Sequence, residues 1–336
     1  MNPFILLIAL FSINFLCAKE INILDFGAIP NNENYNNVIP IQNAINSLKD
    51  EGGTVIIPDG TFYLQFEKFS SIVIFDNIKI KGINNSKLKV LGNLNQRTHV
   101  LKNFDEIEGN ENIEIENLTI DCSYLGEQIV YQMDNRINGI TFFKSKNITI
   151  KNVEVLNGNG YGIWLSNTRY SIIEKSLVKD FGDAIELSEN SSFNIIRNNE
   201  VFSTGEVNYI SSFILLYGGS KYNLIYNNNL YGAAGQALST VSYYGYGSSN
   251  FFFNNIVNCY NTVGIYIAGN NNMFLFNSIK IKDNAAILFY EGEDLHTNNV
   301  IWFNKIDIDL TNSPMNRKSA FVLNKNALNN HINFNE

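Results

Sequence analysis

A short strand preceded by a small residue recurs along most of this chain. It appears as "GITF" from Gly139, "GIWL" from Gly162, "AIEL" from Ala184, "FILL" from Phe213, "ALST" from Ala237, "GIYI" from Gly264 and "AILF" from Ala286. The steps between them are 23, 22, 29, 24, 27 and 22 residues. A second line runs in phase with the first, a strand ending in apolar–x–Asn, at Asn152, Asn198, Asn227, Asn254, Asn277 and Asn304. A third short strand follows each of these, such as "VEVL" from Val153 and "IVNC" from Ile256.

Three short strands per period of this length define a solenoid, because one such unit cannot bury a face alone and has to stack on copies of itself. A leucine-rich repeat needs a dense leucine signature that is missing, and a propeller blade needs about 40 residues or more. Ile, Val and Phe alternate with polar residues, as strands with one buried face require. The fold expected is all-β, a right-handed parallel β-helix whose coils lie about 4.8 Å apart. About one residue in six is asparagine, far above ordinary usage. The recurrent Asn suits tight bends between strands, since it tolerates left-handed backbone angles and can hydrogen-bond along a stacked ladder.

The segment "MNPFILLIALFSINFLCAKE" opens on an apolar run, Phe4 to Leu16, of signal-peptide length. Residues 1–18 are expected to be removed after Ala18, which makes the protein secreted, extracellular or periplasmic; lipidation of Cys17 stays open as an alternative. Residues 19–336 form one domain, with no later run long enough to span a bilayer. The net charge of −8 and the lack of a basic motif argue against a nucleic-acid partner. Cys122 and Cys259 fall at equivalent points about five coils apart, roughly 24 Å, too far for a disulfide and hence two free, buried thiols.

Ahead of the repeats, Ile41, Ala44, Ile45 and Leu48 share one helical face after Pro40, and an open solenoid end needs such a cover. The N-terminal cap is placed at about residues 22–50. This stretch carries Asp25-Phe26-Gly27-Ala28, Ala44-Ile45, Gly52-Gly53-Thr54-Val55 and Pro58-Asp59-Gly60-Thr61-Phe62. Over residues 22–64 it resembles the pectate lyase-like β-helix superfamily, which includes polygalacturonases, pectate-lyase-3-type proteins, mannuronan epimerases and phage tailspikes. The aspartate pair that many members carry after the first motif is replaced by "NNENYNN". The resemblance implies a carbohydrate-active solenoid but no particular reaction.

The stretch "KDFGDAIELSEN" resembles half of the polygalacturonase signature. Gly182 and Asp183 match, but Ala184 stands at the second aspartate and Asn159-Gly160-Tyr161 replaces the family's Asn-Thr-Asp. No histidine follows a glycine, no Arg-x-Lys occurs, and the Asp-Pro-His-Asp of mannuronan epimerases is missing. Polygalacturonase action by the family mechanism is therefore not expected, since it needs paired carboxylates.

Alternation from the inward Ile163, Ile185, Ile265 and Ile287 places an outward column at Thr141, Trp164, Glu186, Leu215, Ser239, Tyr266 and Leu288. Asp183 and Glu186 are the candidate catalytic carboxyls. Trp164, Tyr266, Tyr217 and Tyr290 are candidate sugar-stacking residues, exposed on one face, with Arg169 and Lys144 as cations for an anionic sugar. Glu291 and His296 would stand at the rim, and the tyrosines after Ser242 form either a lid or a packed loop. Each also has an ordinary reading, as a turn cap, a solvated surface residue or a covered aromatic. The reading favoured from these residues is a lyase acting on an acidic polysaccharide, with a hydrolase or epimerase of the same fold next. A non-catalytic glycan-binding scaffold is the other alternative. No metal motif is present, although Ca²⁺ is compatible with such chemistry.

Overall fold

The computed structural model describes residues 19–66, 70–92, 97–123, 136–205, 211–241, 245, 247–290, 295–312, 319–323 and 325–333. Their strands build three parallel sheets of 12, 10 and 10 strands, each pairing with the equivalent strand one coil away. One coil runs through Lys146–Lys151 in the first sheet, Glu154–Leu156 in the second and Tyr161–Ser166 in the third. The next runs through Ile172–Glu174, Leu177–Lys179 and Asp183–Ser188. The protein is an all-β right-handed parallel β-helix, and one continuous core of Ile, Val, Leu and Phe fills its interior.

At the start, Ile23–Phe26 form a 3₁₀ turn closed by Gly27, whose φ of 88° explains the glycine in that motif. Helix α1, Val38–Asn46, begins two residues before Pro40, which a first helical turn tolerates. Ile41, Ala44 and Ile45 of α1, with Leu48 just beyond it, enter the core. Gln42 extends over the last strand of the third sheet, Ile72–Ile74. It accepts from the Val73 N–H at 2.8 Å and donates to the Val73 carbonyl at 3.1 Å. That side chain thus supplies the two hydrogen bonds a further strand would have made.

The asparagines divide into two sets, and the sequence phase had merged them. Asn152, Asn198, Asn227 and Asn254 adopt left-handed angles, φ 51–55°. In the last two coils the left-handed residue is instead Phe276 or Phe303, and Asn277 and Asn304 follow it. These two belong to a buried ladder running Asn199, Asn228, Asn255, Asn277, Asn304. Each Oδ1 accepts from the backbone N–H and side-chain amide of the preceding ladder Asn, as Asn228 does from Asn199. Each Nδ2 also donates to a preceding carbonyl, as Asn228 does to Ile196 at 3.0 Å. A second ladder runs Asn194, Asn223, Asn250, Asn272, Asn299, Asn330 at the other bend of the first sheet. The left-handed asparagines also bond along their own row, side chain to side chain, as Asn254 does to Asn227 at 2.6 Å and Asn152 to Asn117 at 3.2 Å, but only the residue after the bend reaches the buried carbonyls.

Cys122 and Cys259 are free and buried. Burial pushes the Cys259 thiol up to about 12 and raises that of Cys122 as well.

Candidate functional site

The third sheet carries the small-residue repeat. Those residues mark a kink: Ala184 and Ile185, consecutive in sequence, both lie in the core. Gly162, at the same place one coil earlier, has no room for a side chain. A Cβ there would stand 2.4 Å from Val178 Cγ1 and 2.5 Å from the Ala184 carbonyl oxygen. Strict alternation would place residues 183 and 186 on opposite faces. The kink brings Asp183 and Glu186 to the same outer face, in register with Tyr161 and Trp164.

Both carboxyls are buried, Glu186 to 1% exposure and Asp183 to 9%. Burial pushes the Asp183 carboxyl up to about 6, although Ser211, the Ser212 N–H and the Arg136 guanidinium favour its charged form. Glu186 is held well above the carboxylate range by burial and then by the charge of Asp183. Hydrogen bonds with Ser188 and Tyr217 and the Arg136 charge offset part of this. Among the described residues, Asp183 Oδ1 and Glu186 Oε1 have no hydrogen-bond partner.

Around the pair lies a close aromatic and cationic cluster. Trp164 packs against Tyr161 at 4.6 Å between ring centroids and edge-on to Phe143 at 5.0 Å. Its Nε1 donates to Ser188 Oγ at 2.7 Å. Arg136 lies over the Tyr161 ring and donates to its hydroxyl at 2.7 Å. Arg97 lies over Trp164, 5.1 Å from the ring centroid. The His99 ring is parallel to Trp164 at 6.2 Å. Its Nδ1 is 2.8 Å from the Thr141 hydroxyl and 3.2 Å from the Asn138 amide nitrogen. An amide nitrogen can only donate, so Nδ1 accepts and the ring proton sits on Nε2. Burial, with Arg97 and Lys102 beside it, lowers His99 to about 3 and keeps it neutral.

Several expectations need correction. Trp164 is not an exposed platform: it is 7% exposed, wedged among Tyr161, Phe143 and Arg97. Thr141, Leu215, Ser239 and Leu288 of the same column are buried too, so this face is covered. Tyr266 is half-buried and does not flank Glu186. Leu215 and Ser239 separate them in register, three strand steps or about 14 Å. Tyr266 instead meets Tyr290, half-buried, at 6.0 Å, and Tyr290 meets His296 at 5.9 Å. His296 is fully buried, not at a rim. Tyr217, half-buried, is brought to the pair, beside Glu186 and Ser188.

Arg169 is exposed and falls past the bend, its backbone bridged to Lys146 and Ser192 at the start of the first sheet. Lys144 is spent on the Ile107 carbonyl. The cation beside the carboxyls is Arg136, which sequence reading missed. Its signal was its phase, two residues before Asn138, which pairs with His99 and binds the Tyr161 N–H in the row of Asp183. Glu291 and the tyrosines at 243, 244 and 246 lie outside the described residues. Among the described residues, no three His, Cys, Asp or Glu side chains group as a metal site would need. No helix there is long and apolar enough to cross a membrane.

A right-handed β-helix family model, "Right handed beta helix region", matches residues 66–230. No curated protein matches the chain in sequence. Fold and match agree on a right-handed parallel β-helix. Among solved structures, it is similar to ORF18 of Geobacillus virus E2, with TM-score 0.65 and 16% identity over 91% of this chain and 60% of that one. A hyperthermoactive exopolygalacturonase from Thermotoga maritima gives TM-score 0.57 and 14% identity over 87% of this chain and 88% of that one. A tailspike protein mutant of E. coli bacteriophage HK620, solved with a pentasaccharide, gives 0.71 and 15% over 88% and 58%. The chain thus spans about 60% of the length of the viral proteins it resembles. At these identities the likeness is one of fold.

Proposed function

We propose that the protein is a secreted carbohydrate-active β-helix that cleaves glycosidic bonds in a polysaccharide. In this reading Glu186 is the proton donor to the leaving oxygen and Asp183 the charged partner. The observation that carries it is a desolvated carboxyl pair on one face of a sheet, each with an oxygen that has no hydrogen-bond partner among the described residues. One acid raised well above the usual range, beside a second that titrates near 6, is how two carboxyls divide the roles of acid and base.

Hydrolysis is favoured over the elimination expected from sequence. Elimination from a uronate first needs a strong base and neutralisation of the sugar's own carboxylate. Here His99 is too weak a base at about 3, and the Tyr217 phenol is pushed up by burial and by Glu186. A uronate would also bring a second negative charge beside Asp183, with Arg136 there already engaged by Tyr161. A neutral sugar unit at the cleavage point avoids that repulsion.

The burial of Glu186 and Trp164 favours a second reading, a non-catalytic glycan-binding scaffold whose polar cluster is structural. One experiment separates the two. Purified protein is incubated with neutral and uronate polysaccharides, following reducing ends and the absorbance of unsaturated products. New reducing ends without unsaturation, lost in Glu186→Gln, support hydrolysis. Unsaturated products indicate elimination, and silence across the panel with glycan binding retained indicates the scaffold.

A further inference from the structure

The outer face of the first sheet changes character along the solenoid. In its early coils it is charged: Lys79 and Lys151 both bridge to Glu114 and Glu116 at 2.6–3.4 Å. From Ile172 onward, one outward column reads Ile172, Ile195, Leu224, Phe251, Met273 and Val300 in register. The neighbouring column begins with Glu174 and Arg197, paired at 2.6 Å, and then turns apolar through Tyr226, Phe253 and Trp302. Half-buried or exposed, these side chains form one continuous apolar strip.

The bends at its edges carry the same signature. Where other coils place Asn in the left-handed position, as at Asn112, Asn147 and Asn271, this stretch places Tyr170, Phe193 and Tyr222, at φ 56–59°. On the other edge Phe276 and Phe303 replace Asn. A bulky residue there costs about 1–2 kcal/mol that Asn largely avoids. Yet Phe193 and Phe276 are 48% and 58% exposed. Such strain for aromatic rings in water has a reason if something covers them.

Sugar is a poor occupant. Tyr170, Phe193 and Tyr222 stack on one another at 5.5 and 5.2 Å, and Tyr226 on Phe253 at 4.7 Å. Their faces are already used, and a sugar ring needs a free face and hydrogen-bonding neighbours. We propose that the strip is where two copies of this chain associate face to face. Six coils at ~4.8 Å by seven residues at ~3.3 Å give a footprint of roughly 650 Å². That is close to the ~800 Å² per partner of a standard interface. The chain carries a net −8, so two copies repel over most of their surface. The strip's columns hold only an internally paired Glu174–Arg197, while Arg169, Lys175 and Lys221 stand at its edges, as an apolar centre with a polar rim requires.

The test is sedimentation velocity of the full chain over a concentration series, against the double variant Phe193→Asn, Phe276→Asn. Asparagine is the residue other coils use at these bends, so the variant keeps its fold and its melting temperature. The wild type is expected to be a micromolar dimer, and the variant to raise the dissociation constant at least about a hundredfold. A wild type that stays monomeric overturns the proposal, whether or not the strip binds glycans or another protein. So does a dimer that the double substitution leaves unchanged.

Discussion

The indole N–H of Trp164 ends on the Ser188 hydroxyl, 2.7 Å away, and that hydroxyl is itself bonded to Glu186. An aromatic of one coil is thereby tied through a serine to the carboxyl of the next. Ser188 accepts from the indole, so its own proton is free for the carboxylate. Ser188→Ala removes a bond that favours the charged form of Glu186 and raises its pKa further. If Glu186 is the proton donor, the alkaline limb of the pH–rate profile moves up in this variant, while Glu186→Gln loses at least about 10²-fold in kcat. An unmoved limb would separate Ser188 from the chemistry.

The carboxyl pair also has a stability signature opposite in sign to that of most acids. Asp183 rises from 3.8 to about 6 on folding, so between those values the folded state holds more protons than the unfolded state. Stability then falls as pH rises through that window and levels off above it. Two pH units correspond to about 3 kcal/mol. Asp183→Asn is expected to be more stable than the wild type by up to about this amount above pH 6, with the gain gone below about pH 4. Denaturant melts across that range decide it; parallel stability curves would show that burial does not tax this carboxyl.

Asn227 and Asn228 are adjacent and should respond differently. Asn227 occupies the left-handed bend, so Asn227→Gly is near neutral and Asn227→Ala costs about 1 kcal/mol. Asn228 satisfies the Asn199 backbone N–H and the Ile196 carbonyl in the interior. Asn228→Leu leaves both unpaired, at about 1–3 kcal/mol each. Equal effects at the two positions would refute the division of labour.

The kink that aims the carboxyls depends on the small residue beside it. Gly162→Ala forces a methyl against Val178 and the Ala184 carbonyl, and overpacking of this kind costs about 1–3 kcal/mol. Because the displaced strand also carries Trp164, activity should fall with stability. A variant as stable as the wild type would show that the coil has slack there.

The repeat phase alone was enough for the architecture, because a 22- to 29-residue period of three strands has few ways to bury itself. It also located Asp183 and Glu186, though not the reason they share a face. Two columns one residue apart, Asn227 and Asn228 among them, blur into one when coils vary in length. Only the pattern of buried carbonyls separates them. Burial of the outer face was equally out of reach: Trp164 reads as an outward residue whether water or Arg97 and Tyr161 covers it. Arg136 lies 47 residues before Asp183, and its approach depends on two coils stacking in one register. Local pattern determined which residues point in and out of the solenoid. Long-range packing decided which outward residues remain in water, which carboxyls are stripped of it, and which cation stands beside them.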